Sequence, residues 1–368
     1  MEINSIKMIS FRNHEKTKIE FNSGLTVIWG KNGSGKTSIL EAIYGLSIGK
    51  SFKTNNKREL IKEGSSGFFL KGVFKEKNKS KNTVSIAQDI SGVKKIKINE
   101  KEIIKRKEML GLNNVVVLSP EEEKITKGPA GERRKYFNKI FSICSPIYLD
   151  KLLLYNKTLK QRNALLKKTL QKNEIIEAWN QPLSNFGEKL WVERNNKFEE
   201  IRRLFKKTSK KFDEKLELDI IYKTKIKNKK EITRELLKNQ KTDIQRGFTS
   251  VGPHRDEVLF FWKNKIIRKN GSQGEHKLFL ALLKITAYIY ISKKTKTTPV
   301  FLIDDIFASL DRERSKKILE FIGGFRGLGA CLPQTIVTAT DVEDIERRSF
   351  FNRNNKITKH YLKQNGIA

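Results

Sequence analysis

The 368-residue chain is poor in cysteine, in acidic residues and in long apolar runs. Its two cysteines, Cys144 and Cys331, are too few for a disulfide framework and lack zinc-ligand spacing. A reducing compartment, the cytoplasm, is the simplest setting for such a chain. No stretch approaches the roughly 18 consecutive apolar residues that a membrane span needs. Residues 1–10 hold no apolar signal core, so neither a membrane nor secretion is expected. Repeats and sustained heptads are also missing, which argues for a compact fold without a long coiled-coil arm. Acids number 41 against 76 Lys and Arg, leaving a formal net charge of +35. Hydrophobic residues make up 37% of the chain, enough to build a core despite that charge.

The basic excess is 57 Lys to 19 Arg, and part of it reads as compositional lysine bias. Its placement is uneven, however. Residues 51–150, 151–250 and 251–300 carry +10, +13 and +7, whereas 1–50 and 301–368 carry +3 and +2. A polyanion, nucleic acid first among them, is the expected partner, with its contact face on the middle of the chain.

Residues 2–29 read as strands, ending in the apolar run Leu25-Thr26-Val27-Ile28-Trp29. A helix follows from Lys36, with Ile39, Leu40, Ile43 and Leu46 on one stripe. Residues 68–105 alternate as a small antiparallel meander, and Val115–Leu118 is a buried strand. Residues 132–212 carry helical stripes, with an interruption expected at Pro182. Strand alternation returns at Leu218-Ile220-Tyr222 and over 258–267. An apolar helix over 277–291 and buried strands at 300–303 and 335–339 complete the pattern. This predicts an α/β chain in three stretches: 1–128 as the first part of a head, 129–215 as an inserted, mostly helical lobe, and 216–368 as the rest of the head.

Gly30-Lys31-Asn32-Gly33-Ser34-Gly35-Lys36-Thr37 matches the phosphate-loop pattern at every fixed position, between an apolar strand and an amphipathic helix. Its glycines let backbone N–H groups turn toward phosphate oxygens at a helix N-terminus. Lys36 is expected on the β/γ-phosphates, Thr37 on Mg²⁺, and Ser38 with the loop among the nucleotide-binding residues. Val300-Phe301-Leu302-Ile303-Asp304-Asp305 reads as the matching carboxylate strand. Asp304 is the expected Mg²⁺ ligand, and Asp305 the general base or water-orienting group. Lys36 and Asp304 lie far apart in sequence with the basic lobe between them, which suits an ATPase head split by an insertion.

Asn270-Gly271-Ser272-Gln273-Gly274-Glu275 stands before the apolar helix and resembles the signature loop of ABC-type ATPases, with Ser272 and Gly274 at its small positions. Ser309-Leu310-Asp311 resembles the D-loop of that family. The match narrows through Phe11-Arg12-Asn13, Gly49-Lys50-Ser51-Phe52-Lys53, Leu118-Ser119-Pro120-Glu121, Gly128-Pro129, Leu159–Lys167, Gly252-Pro253-His254-Arg255-Asp256 and Thr338-Ala339-Thr340-Asp341. In order, over nearly the whole chain, these strings resemble the bacterial RecF family among the ABC/SMC-type ATPase heads.

That resemblance implies an ABC-type head with an antiparallel meander, ATP and Mg²⁺ as ligands, and Arg12 and Asn13 beside the nucleotide. It also implies an ATP-dependent homodimer in which Ser272 and Gly274 complete the partner's site. It implies single-stranded, gapped or junction DNA as substrate, and RecO- and RecR-type partners in loading RecA and in the SOS response. Weak, DNA-stimulated ATP hydrolysis would act as a switch. Departures from the wider pattern are Thr340 at the usual switch His, no Q-loop Gln near Ser119, Asp305 for Glu, and Lys53 for Arg. The alternatives are an SMC-like head for chromosome structure, an ABC transporter motor, and a DNA scaffold with a vestigial nucleotide site.

Several prominent residues have ordinary readings. His254-Arg255-Asp256 suggests a kinase loop, but the other kinase motifs are missing, and a structural turn is expected. His276 reads as a helix-start residue, and Trp179 and Trp191 as core. Arg133 and Arg134 read either as a solvated first turn or as a DNA or partner contact. The Lys-rich run 223–230 reads as a loop, solvated or phosphate-contacting.

Overall fold

The computed structural model describes residues 1–76, 81–168, 173–224, 228–305, 312–323, 334–341, 357–363 and 366–367. The expected D-loop, Ser309-Leu310-Asp311, lies outside them, as do Cys331 and part of the Lys-rich run. The chain forms two compact units, one of Met1–Glu123 with Lys277–Ala368 and one of Lys124–His276.

In chain order the first unit opens with strands β1 (Glu2–Phe11), β2 (His14–Glu20) and β3 (Leu25–Trp29), then helix α1 (Lys36–Ile48). Strands β4 (Gly67–Lys75), β5 (Asn82–Asp89), β6 (Lys94–Ile98), β7 (Lys101–Glu102) and β8 (Val115–Leu118) follow. The second unit contains α2 (Lys124–Lys127), α3 (Ala130–Cys144), α4 (Pro146–Leu166), α5 (Asn173–Ala178) and α6 (Asn180–Phe212). It continues with β9 (Leu218–Lys223), α7 (Lys229–Lys238), α8 (Gln240–Arg246), β10 (Glu257–Trp262), β11 (Lys265–Ile266) and α9 (Ile267–Asn270). Helix α10 (Gln273–Thr295) leads back to the first unit, with β12 (Val300–Asp304), α11 (Arg312–Gly323), β13 (Thr335–Ala339), β14 (Thr358–Lys363) and β15 (Gly366–Ile367).

Two sheets make the first unit. One is antiparallel, in the order β2-β1-β4-β5-β6-β7. The other runs β15-β14-β3-β13-β12-β8. In it β14, β3, β13, β12 and β8 are parallel neighbours. Parallel strands are covered on both faces, which is why β3, β8, β12 and β13 are mostly apolar and buried nearly end to end, without alternation. The antiparallel strands instead alternate buried and exposed residues, as Gly67–Lys75 does. Such unlike sheets, with α1 almost entirely buried, give the α/β head expected from the sequence.

The second unit is more than a helical lobe, because it also contains the three-stranded sheet β11-β10-β9. The stretch 216–276 therefore belongs with the lobe and not with the C-terminal head, as the sequence boundary at 215 had it. The physical reason is packing. Ile220, Val258 and Phe260 are buried on the strand faces. Tyr222 stacks on Phe198 of α6 with centroids 4.7 Å apart, and Phe260 meets Phe137 of α3 at 6.3 Å. Pro182 does not interrupt a helix either. It lies in the first turn of α6, where the missing N–H has no intrahelical partner to lose, and the helix runs on to Phe212.

Arginines brace this unit from inside. Arg162 is fully buried and reaches Asp243 at 2.9 Å, Asn180 at 3.0 Å and Thr249 at 2.8 Å. Arg194 donates to the Pro253 carbonyl at 2.7 Å and pairs with Asp256 at 3.4 Å, and Trp191 and Tyr222 also donate to Asp256. Arg133 donates to Val258 O at 2.6 Å and Arg134 to Asp256 O at 2.6 Å. These two are thus more than a solvated turn: they tie α3 to β10 and the turn before it. The Gly252–Asp256 segment is the structural turn expected, with His254 hydrogen-bonded to Tyr155 at 2.6 Å and to Thr249 O at 2.9 Å. Trp191 is core, whereas Trp179 is half-buried.

Candidate nucleotide site

The parallel pairing brings distant residues to one sheet edge. β3 pairs with β13 and β13 with β12, so their C-terminal ends coincide. In open α/β sheets that edge is where ligands bind. The phosphate loop leaves the end of β3, Asp304 ends β12, and Thr338 pairs with both Ile28 and Asp304. A cavity of about 230 Å³ opens there, lined by Asn13, Gly33, Lys36, Thr37, Asp305 and Lys53 among others.

The loop is held by its neighbours. Gly35 has φ +98°, and a Cβ there would lie 2.5 Å from His14 Nε2 and 2.6 Å from Asn13 Oδ1, so only glycine fits. Asn13 donates to Gly33 O at 3.1 Å, and Ser38 donates to Asn13 at 3.4 Å. His14 lies 3.0 Å from Gly35 O and 3.1 Å from Thr17 Oγ1. Burial lowers the His14 pKa, so the ring is neutral, with Nε2 donating to Gly35 O and Nδ1 accepting from Thr17. The hairpin turn between β1 and β2 is in this way a clamp on the loop.

Arg12, expected beside the nucleotide, is engaged elsewhere. Its guanidinium forks onto Glu41 of α1 at 2.8 and 2.7 Å and donates to Glu59 O at 2.8 Å. Such bidentate pairs are charge-assisted and directional. Its backbone sits at φ 56°, in the left-handed region, which places Asn13 at the loop.

Lys36 Nζ donates to Gly30 O at 2.7 Å and Lys31 O at 2.9 Å, leaving one of its three donors for an anion. Thr37 donates to Asp304 Oδ1 at 3.0 Å and Thr338 to the same oxygen at 2.7 Å. Thr338 in turn accepts from the Asp305 N–H at 3.1 Å. Asp305 sits at φ 40°, a conformation that Asp tolerates better than most residues.

Burial raises the Asp304 pKa. The two threonine hydrogen bonds oppose this, and the charges of Glu121 and Asp305 add to it. Burial also raises the Asp305 pKa, against the pull of Lys36. Burial lowers that of Lys36, against the pull of both carboxylates. A buried carboxylate beside other acids is relieved by a cation.

These residues fit a magnesium nucleotide. The first turn of α1 has no side-chain cap, so its N–H groups face the loop's concavity. Ser34 Oγ is buried with no hydrogen-bond partner among the described residues, a donor suited to a phosphate oxygen. Thr37 and Asp304 are the oxygen ligands that Mg²⁺ takes when phosphates and waters supply the rest.

Ser272 and Gly274 belong to the second unit, at the N-terminus of α10. Ser272 N donates to Glu275 at 2.8 Å and Glu275 N to Ser272 Oγ at 3.2 Å, a reciprocal capping box that leaves Ser272 exposed. His276 is in the first turn of that helix, as expected.

Three contributors were given no role from the sequence, although Thr338 and Glu121 stand in the strings quoted above. Thr338 looks like an ordinary β-branched strand residue, and His14 like a core histidine. Glu121 closes the string Leu118-Ser119-Pro120-Glu121, which gave it no role, yet it acts on Asp304 and lies 4.0 Å from Lys53.

Residues 2–366 match the profile of the RecF/RecN/SMC N-terminal domain. The DNA replication and repair protein RecF of Clostridium tetani is 34% identical over 357 residues, covering 94% of this chain and 95% of that protein. RecF of Clostridium botulinum strain Okra is 34% identical over 372 residues, covering 100% and 99%. Among solved structures, the recombination mediator protein RecF with ATP, in the RecFOR pathway, superposes with a TM-score of 0.87 at 28% identity, covering 100% of this chain and 96% of that one. A SMC head bound to the C-winged helix domain of ScpA shares the fold alone, at TM-score 0.58 and 17% identity over 100% and 96% of the two chains. The SMC-like alternative is accordingly the weaker one, and the chain belongs to the RecF family of DNA replication and repair proteins.

Proposed function

We propose that this chain is an ATP-switched DNA-binding protein that dimerises around Mg²⁺-ATP. It would hold single-stranded or gapped DNA and act with RecO- and RecR-type partners in the cytoplasm. The observation that carries this reading is the hydrogen bond of Thr37 to Asp304, two residues from distant parts of the chain meeting beside Lys36.

In this reading Lys36 and the loop N–H groups hold the β/γ-phosphates, and Thr37 and Asp304 hold Mg²⁺. Mg²⁺ held by Thr37 and Asp304 would supply positive charge that offsets the charge of the phosphates. Asp305, its proton affinity raised by burial, orients or deprotonates the attacking water. Exposed Ser272, with Gly274, offers a helix N-terminus to the γ-phosphate of a partner subunit. Hydrolysis then removes the group that joins the two subunits, which makes ATP a release switch.

Sedimentation with and without Mg²⁺-ATP tests the proposal. A monomer that pairs only with Mg²⁺-ATP is expected, and an unchanged monomer overturns it. Lys36→Met should abolish nucleotide binding, and Ser272→Arg should keep it but block pairing. If both variants pair like the parent protein, the composite site is wrong.

A further inference from the structure

The antiparallel sheet has two unlike faces. Ile6, Met8, Leu70, Phe74 and Ile86 form the buried one. Gly45 of α1 faces Leu70 there, and Leu46 of α1 faces Gly72. The strand register determines what stands on the other face. Lys18 is opposite Lys7, Lys7 opposite Lys71, Lys71 opposite Ser85, and Ser85 opposite Lys97. One row across five strands thus carries four lysines, spanning roughly 19 Å at about 4.8 Å per strand. The next row on this face runs Lys16, Ile9, Phe69, Ala87, Lys95.

Over these five strands neither row contains an acid, and the lysine row ends on β7 at Glu102, opposite Lys97. Like charges directly opposite each other destabilise a sheet, and Lys7 faces a lysine on both sides. Glu20 and Glu100 reach Lys18 and Lys71 from outside the rows at 2.7 and 3.1 Å, but these exposed pairs are weak. Lys7, Lys16, Lys95 and Lys97 are exposed and make no ion pair among the described residues. Beside the lysine row, half-buried Phe69 and Ile9 line a shallow cleft of about 380 Å³ with Ala87, Val93 and Lys95, and Asp89 stands at its edge, hydrogen-bonded to Ser91 and the Val93 N–H. That cleft is roomy enough for a nucleobase.

We infer that this outer face is a platform for single-stranded nucleic acid, with the lysine row against successive phosphates and a base stacked on Phe69. The inference rests on the DNA-binding reading above and adds its location and strand form. A charged groove beside an aromatic face is the general chemistry of single-strand binding. Only an unpaired base can reach Phe69, so the cleft selects single strands over duplex.

The test is anisotropy of labelled oligothymidylate with the full chain across a salt series, with and without Mg²⁺-ATP. The triple variant Lys7→Glu, Lys71→Glu, Lys97→Glu should bind about tenfold more weakly or worse. Its salt slope should fall by about 2, at roughly 0.7 for each phosphate that is no longer neutralised. Phe69→Leu should weaken single-strand binding by about fivefold or more and leave duplex binding unchanged, and Phe69→Tyr should restore it. Nucleotide affinity and melting temperature should match the parent protein in every variant. A parent protein that binds no DNA refutes the DNA-binding reading itself. Parent binding with an unaffected triple variant refutes this face alone, and unaffected Phe69→Leu refutes the base cleft.

Discussion

Thr338→Val is the most informative single change in the nucleotide site. It keeps the shape and β-branching of a fully buried strand residue and removes only the hydroxyl. That hydroxyl donates to Asp304 at 2.7 Å and accepts from Asp305 N–H at 3.1 Å. A hydrogen bond to a charged group contributes about 1.5–3 kcal/mol, and a buried donor left without an acceptor costs about 1–3 kcal/mol. The two losses share one atom and do not simply add, so destabilisation of about 2–4 kcal/mol is expected from urea unfolding.

The functional consequence is separable from that loss. Among the described side chains Asp304 would keep Thr37 alone as a hydrogen-bond donor, and its pKa, already raised by burial, would rise further because the Thr338 hydrogen bond that lowers it is gone. A ligand oxygen with weaker outer support binds metal about 10- to 100-fold less tightly. Magnesium titrations of fluorescent-ATP binding should therefore shift to higher Mg²⁺, with metal-independent nucleotide binding little changed. Thr338→Ser should restore most of the affinity. The sign with pH follows: protons compete with Mg²⁺ for Asp304, so Mg²⁺-dependent binding weakens as pH falls, and it should do so from a higher pH in the valine variant. An unchanged Mg²⁺ dependence and pH profile in Thr338→Val would refute the role given to this residue.

Gly35→Ala should abolish nucleotide binding while leaving far-ultraviolet circular dichroism unaltered, because its Cβ would strike the Asn13 and His14 side chains. Arg162→Met should cost about 3–5 kcal/mol in urea unfolding by leaving Asp243 buried and unpaired, and adding Asp243→Leu should recover more than half of it. Burial pushes the His254 pKa down to about 4. The unfolded chain therefore binds a proton that the folded one refuses. Stability should fall as pH drops from about 6.5 toward 4, by up to about 3 kcal/mol, and His254→Gln should flatten that dependence.

Much of the site was legible because its residues sit in fixed local strings. The phosphate loop needs glycine at set positions, and the carboxylate strand announces itself by an apolar run ending in two acids. What stayed hidden depends on pairing across long sequence distances. Thr338 matters only because β13 lies between β3 and β12, and no local pattern states that order. Arg12 was placed beside the nucleotide through its string, but which acceptor a guanidinium reaches depends on Glu41 of α1. The lobe boundary was misplaced because strand alternation at Leu218–Lys223 shows that one face is buried without saying against what. Its partners, α3 and α6, precede it in the chain as ordinary amphipathic helices.

The buried arginines also change what the net charge of +35 means. Arg133, Arg162 and Arg194, with half-buried Arg134, are used within the second unit, where planar, forked donors can satisfy carbonyls and carboxylates together. They are struts and leave the outward charge mainly to lysine. Lysine is a point charge on a flexible stem, suited to a phosphate wherever it lies and poorly suited to bidentate reading of a base edge. A lysine-faced protein should therefore hold DNA with steep salt dependence and little regard for sequence. That is the behaviour the proposed function requires, since a gap can open in any sequence.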